Sequence, residues 1–472
     1  MTVAVLFLTL VALLLIGTPI GIALGLSSIV TSLLFTDESL AAMALRLFET
    51  LQHPSLPAIP LFILTGALLS TGGVARRIIA LAVACIGHLR GGLAMASVPA
   101  CMVFAALAGS SPVAVVAIGS IVIAGMVRAG YGVGLAAGVI GSAATMGGLI
   151  APAIVMVVYA VVTDSALGRM FLAGVLPAIA VALMLMASIH VSARITGLRR
   201  QPRAGLQAIR ASGRAVICDL LPIALVMGGI CGGLLTATQA AAVAAAYAFV
   251  VAVLVDRDLG PLKDRAPSRP SWVDRQTTGM RLVARPVVAL LNLAYALAAL
   301  PVAILHRDVR GVLVETARTT IVLMFIFVNA SLFAHVLASQ EIAPAMVQAI
   351  SGLEPRVLLV AVSAVLLLVG QLMEPAAMVM VAAPLFPIAM ATGVDPIHLG
   401  IVMVVSVEIA MMAPPAGLSL FMTTGITGVT RPAAINAALP WLGILLLFLA
   451  LLIAFPQIAT FLPDLAYGPG VR

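Results

Sequence analysis

Charge is scarce in this chain. Only 9% of its 472 residues are charged, against about 25% in an ordinary soluble domain. A single lysine, Lys263, stands beside 24 arginines, and aromatic residues make up 5%. The four cysteines, Cys85, Cys101, Cys218 and Cys231, form no CxxC pair and lie in or beside apolar stretches. They read as small buried hydrophobes rather than metal ligands or a disulfide framework. No GxxxxGK[ST] loop is present, so the common ATP site is excluded, and neither HExxH nor GxSxG occurs. What fills the chain instead is apolar: 63% of residues, with a mean hydropathy of +1.23. A water-soluble protein has too little polar surface to cover that much apolar side chain. A soluble enzyme, a disordered chain and a nucleic-acid module are therefore excluded. The formal net charge of +8 comes from arginines placed between apolar runs, the pattern that orients membrane helices.

A hydrocarbon core about 30 Å thick needs about 20 helical residues. Apolar runs of that order recur at 2–16, 20–35, 58–72, 132–162, 168–193, 216–235, 239–255, 319–338, 397–428 and 433–456. The first run lacks a basic leader and reads as a retained helix, not a cleaved signal. Runs 132–162 and 397–428 are too long for one crossing, and each carries Gly and Pro at its middle, TMGGLIAP and MMAPPAGL. Proline removes a helix donor and clashes with the preceding turn, so both are expected to be broken helices. Segments 93–127 and 357–390 are interrupted at AGSSP and QLMEP, leaving two short arms each. Both are expected to be re-entrant hairpins.

If the hairpins return to their own side and the ten runs cross, 21 of the 25 basic residues fall on one side. That side is then cytoplasmic, and both termini lie outside. The order of features repeats: two crossings, a third, a short amphipathic stretch (74–88; 342–352), a hairpin, a broken helix and a final span. The expectation is an all-α polytopic membrane protein with an inverted repeat, 1–215 and 216–456, followed by a C-terminal tail, 457–472. Such repeats place substrate and ions at discontinuous helices near the midplane. Segment 257–310 falls outside the repeat. Its apolar part, 283–305, is expected to lie in or dip into the cytoplasmic face, because one more crossing would invert the second half.

The candidate chemistry gathers at the interruptions. Glu374 sits at the second hairpin turn and Glu408 just before the second break. An acid inside a membrane costs several kcal/mol unless paired or hydrated, which makes each a functional candidate; the alternative for Glu374 is to face water or cap a half-helix. The first tip, Gly109, Ser110, Ser111 and Pro112, offers carbonyl and hydroxyl oxygens suited to a small hard cation. The helix start after Pro112 suits an anionic group. The break between Thr145 and Pro152 offers the same two kinds of end, and Thr423 and Thr424 add hydroxyls. The candidate substrate residues are thus Ser110, Ser111, Pro112, Pro152, Thr423 and Thr424, each of which also serves helix packing through small residues.

At these residues the sequence resembles the large membrane subunit of tripartite ATP-independent periplasmic (TRAP) transporters, the DctM-like family. The likeness runs in order through AIPLFILTGALLSTGGVARRI (58–78), HLRGGLAMA (88–96), AGSSPVAVVAIGSI (108–121), FLAGVLPA (171–178), TATQAAAVAAAYA (236–248), ETARTT (315–320) and APPAGLSLF (413–421). The resemblance implies a bacterial inner-membrane elevator-type transporter, driven by sodium rather than ATP. It implies a small four-helix membrane subunit and a periplasmic binding protein as partners. The expected substrate is an organic acid anion of the C4-dicarboxylate or sialic acid class. It also implies sodium sites at Gly109, Ser110, Ser111, Thr145 and Gly147, and at Glu374, Pro375, Ala413, Pro414 and Gly417. Ala67, Ala151, Ala153, Ala413 and Ser419 depart from residues common in the family. Two alternatives stay open: a stand-alone carboxylate:sodium symporter, and a membrane-embedded enzyme acting on a lipid.

Overall fold

In the computed structural model of the chain, residues 2–35, 39–70, 72–197, 202–263, 301–339, 354–382, 385–415 and 417–468 are described. The first half runs α1 (Thr2–Leu15), α2 (Ile20–Phe35), α3 (Leu40–Leu51), α4 (Ala58–Leu69), α5 (Gly72–Ile86), α6 (Gly92–Ala108), α7 (Ser111–Arg128), α8 (Val133–Thr145), α9 (Ile154–Val162) and α10 (Leu167–Ile195). The second runs α11 (Leu206–Cys231), α12 (Ala237–Val250), α13 (Arg307–Ser339), α14 (Pro355–Val369), α15 (Pro375–Ala382), α16 (Leu385–Ala391), α17 (Pro396–Ala410), α18 (Leu418–Thr427), α19 (Arg431–Ala454) and α20 (Gln457–Tyr467). Among the described residues seven helices are long and apolar enough to cross a membrane. The count is eight if Ala58–Leu69 and Gly73–Ile86, bent by 74°, form one span. The expected amphipathic stretch 342–352 and most of 283–305 lie outside the described residues.

Local chemistry fixes the helix ends. Gly109 takes a left-handed φ of 66°, Ser110 is extended, and Pro112 sits in the first turn of α7, where its missing N–H is no loss. The side chain of Asp395 accepts from the N–H groups of Ile397 and His398 and so caps α17. Thr236 and Gln239 close a capping box on α12. Between α8 and α9, residues Met146–Leu149 tighten into a 3₁₀ turn and Ile150 is extended. After α17 the chain turns at Met411–Pro415, and Gly417 caps the start of α18.

Burial runs from the centre outward. Every residue of α17 from Ile397 to Ala410 is buried, and 133–162 is almost as enclosed. A helix that is apolar all round and buried all round lies at the middle of its protein. The outer helices instead expose large apolar side chains, among them Leu8, Leu15, Ile195, Ile321 and Leu447, as a surface solvated by lipid requires. Small residues permit the close crossings: a Cβ at Gly138 would strike the Trp441 ring, and one at Gly25 the Asn329 side chain.

The packing of the two halves is reciprocal. α4 lies on α12 and α13 on α2; α6 lies on α8 and α14 on α17. Likewise α7 meets α18 and α9 meets α15, while α19 meets α8 and α10 meets α17. The two interrupted pairs differ in one respect. α6 and α7 pack arm against arm, whereas α14 and α15 both lean on α17. α20 packs on α10 and is tied there by Arg169 Nη2 to Asp464 Oδ1 at 2.7 Å.

Candidate functional site

Four interruptions converge on one carboxylate. Glu408 lies in the last turn of α17, 2% exposed, inside the shell of buried side chains that α17 carries throughout. The hydroxyl of Ser111, the first residue of α7, donates to Glu408 Oε2 at 2.7 Å. This bond joins the tip of 93–127 to the break of 397–428. Against the same carboxylate lies Gly148 of the first break, where an added Cβ would collide with Oε1. The 3₁₀ turn after α14 reaches the end of α17, with Gly370 close to the Ala410 methyl. That turn leads into Glu374, whose carboxylate interacts electrostatically with Glu408. Among the described residues no Arg, Lys or His forms an ion pair with Glu374 or Glu408.

The expected residues divide by position. Ser111 is buried and engaged with Glu408; Ser110 is half-buried and makes no side-chain cap. Gly109 abuts Ile154, and Gly147 abuts Ala105 of α6, so a Cβ at either would clash. Pro112 is half-buried, and Pro152 is enclosed beside the first break. Thr145 is fully buried, but its hydroxyl donates to Ser142 O of its own helix at 2.9 Å. Thr423 and Thr424 are also spent within their helix, on Leu420 O and Phe421 O at 2.7 Å each. Pro375 starts α15 and is buried; Ala413 and Pro414 are half-buried; Gly417 is buried and begins the turn into α18.

Two features were not legible in the sequence. Glu408 stands out in the sequence as an intramembrane acid, yet nothing there joins it to Ser111, 297 positions earlier. Ser419, in the first turn of α18, is fully buried, and among the described residues its hydroxyl has no hydrogen-bond partner. Its backbone N–H donates to Met411 O at 3.0 Å. The cluster thus offers the Ser111 hydroxyl, the Glu408 carboxylate and the carbonyls freed where the chain breaks, with the exposed Glu374 at the second tip. All are hard oxygen donors of the kind that hold small hard cations.

The Gly148 contact gives a direct expectation. Gly148→Ala should displace the Glu408 carboxylate and break its bond to Ser111, because the methyl would occupy the space of Oε1. Uptake by Gly148→Ala should fall sharply with normal membrane insertion, while Gly130→Ala, where a Cβ meets nothing within 4 Å but φ is 90°, should cost stability rather than transport. Parallel assays of expression, melting and uptake check both.

These observations define a polytopic α-helical membrane protein with a polar site buried between broken helices. The family model described as "Tripartite ATP-independent periplasmic transporter, DctM component" matches residues 7–458. The C4-dicarboxylate TRAP transporter large permease protein DctM of Vibrio cholerae is 45% identical, over 100% of this chain and 99% of that protein. Its namesake from Pseudomonas aeruginosa is 46% identical, over 94% of each. The isethionate TRAP transporter permease protein DctMQ of Oleidesulfovibrio alaskensis is 30% identical, over 95% of this chain and 64% of its own length. The chain belongs to the DctM family of TRAP transporter large permease subunits, and its relatives are named as transporter components rather than enzymes.

Proposed function

We propose that this chain is the large permease subunit of a sodium-coupled importer of C4-dicarboxylates in a bacterial inner membrane. The observation that carries the mechanism is the meeting of the first hairpin tip with both helix breaks at Glu408. A carboxylate in a water-poor site costs several kcal/mol without a counter-charge. A dicarboxylate substrate would bring two more negative charges to the same place. Sodium ions supply the missing charge, and Ser111, Glu408, Glu374, Ser419 and the carbonyls of Ala413 and Pro414 are donors of the right hardness. Gly109, Ser110, Thr145, Gly147, Pro375 and Gly417 shape the tips and breaks around them. The substrate anion would meet the helix starts after Pro112 and Pro152. Thr423 and Thr424 would join it only by releasing their present bonds.

The reciprocal packing supports an inverted repeat, 1–215 and 216–456. On that plan the interrupted segments move together as the carrier, and α2, α4, α12 and α13 form the fixed scaffold. The substrate class follows from the names of the relatives near 45% identity. The unshared third of the DctMQ relative's length supports a separate small subunit here. A periplasmic binding protein is the third component that the word "tripartite" requires.

The test is reconstitution. Proteoliposomes holding the large and small subunits should accumulate labelled succinate only with an inward sodium gradient and the cognate binding protein together. Full-rate uptake by this chain alone would assign it instead as a stand-alone symporter.

A further inference from the structure

Away from the broken helices, a partly exposed arginine meets two acids whose side chains are 0% and 8% exposed. Arg77 of α5 donates from Nε to Asp219 Oδ2 at 2.7 Å and from Nη2 to Asp219 Oδ1 at 3.0 Å. The same Nη2 stands 2.6 Å from Asp256 Oδ2. Asp219 lies within α11 and is fully buried; the Asp256 side chain, just past the π-helical turn Val251–Val255 that ends α12, is 8% exposed. A single guanidinium nitrogen, Nη2, thus lies within 3.0 Å of an oxygen of each carboxyl group, which brings the two acids together. One guanidinium, two carboxylates and one proton make a neutral cluster; without the proton two like charges would touch in a buried place.

We propose that Asp256 carries a proton beside Asp219 and with Arg77 forms a proton-dependent latch that pins α5 to α11 and to the end of α12. Burial and the neighbouring Asp219 push Asp256 up to about 7, against the opposing pull of Arg77. Among the described residues, Asp258 lies against Gly73 of α5 and adds negative charge, and Arg257 Nε reaches Leu254 O at 3.4 Å. The Tyr247 hydroxyl of α12 is engaged with Cys218 O at 3.1 Å. Arg76 and Arg214, on α5 and α11, are exposed.

An acid whose folded form binds its proton more tightly than the unfolded form stabilises the fold below the ordinary carboxylate range. That stability is lost as pH rises through about 7. α5 leads directly into α6 and packs on it, so the latch holds the element that feeds the first hairpin. Its effect on transport rests on the carrier reading above; its existence does not.

The experiment uses the purified full chain in lipid, with Glu374→Gln and Glu408→Gln to silence the intramembrane acids. Infrared difference spectra stepped across neutrality should show one carboxylic-acid carbonyl band that disappears as pH rises, and the melting temperature should fall over the same interval. Adding Asp256→Asn should remove the band and the pH dependence of melting, because the amide stands in for the neutral acid. If the triple variant does not fold, the band in its parent, and its loss in Asp219→Asn, decide the matter. No titrating band, or unchanged pH dependence of melting in Asp256→Asn, would overturn the latch.

Discussion

Glu408→Gln is expected to raise the sodium concentration for half-maximal uptake by roughly 10- to 100-fold, the equivalent of about 1.5–3 kcal/mol for a lost charged contact. Glutamine has nearly the same volume as glutamate, and its carbonyl oxygen can still accept from the Ser111 hydroxyl, which now reaches Oε2 at 2.7 Å. The packing of α17 should therefore survive, and membrane insertion and melting serve as controls. Only the negative charge is removed. If that charge is what sodium neutralises, the variant must bind sodium poorly and carry succinate slowly at ordinary sodium. A Glu408→Gln protein with the parent's sodium dependence would make Glu408 a hydrogen-bond acceptor for the tip and nothing more. The ion site would then have to be built on Glu374, which stands at the second tip without an ion-pair partner among the described residues.

The elements of this fold were legible because bilayer thickness and proline leave plain marks. The runs 20–35, 168–193 and 433–456 correspond to α2, α10 and α19 within a few residues. The interruptions at AGSSP, TMGGLIAP, QLMEP and MMAPPAGL fall where helices stop. What the sequence conceals is side-chain pairing over long separations. Apolar periodicity says that Glu408 is buried, but not that Ser111 faces it from 297 positions away. Arg77 could be counted toward membrane orientation, yet its two aspartates lie on other helices and counting cannot find them. Hydroxyls mislead in the opposite sense. Thr145, Thr423 and Thr424 looked available, but a threonine in an apolar helix satisfies itself on a carbonyl three or four residues back, as all three do. Ser419, in the first turn of a helix, has no hydrogen-bond partner for its hydroxyl among the described residues.

Ser111 tests the same site from the other half of the chain. Ser111→Ala removes the donor to Glu408 and leaves a buried carboxylate short of a partner, which costs about 1–3 kcal/mol. The sodium requirement should rise about tenfold. Ser111→Leu should do more: Ser111 is 5% exposed, so the larger side chain must push the tip away from α17, and sodium-driven uptake should be lost with the protein still inserted. Ser110→Ala, whose hydroxyl caps nothing, should stay near the parent. If Ser111 and Glu408 serve one ion, their effects must be coupled. Ser111→Ala placed on Glu408→Gln should then add little to the single change, whereas independent sites would add in full. Full additivity, or parental sodium dependence in all three serine variants, would reduce the first tip to a packing element and separate it from the coupling ion.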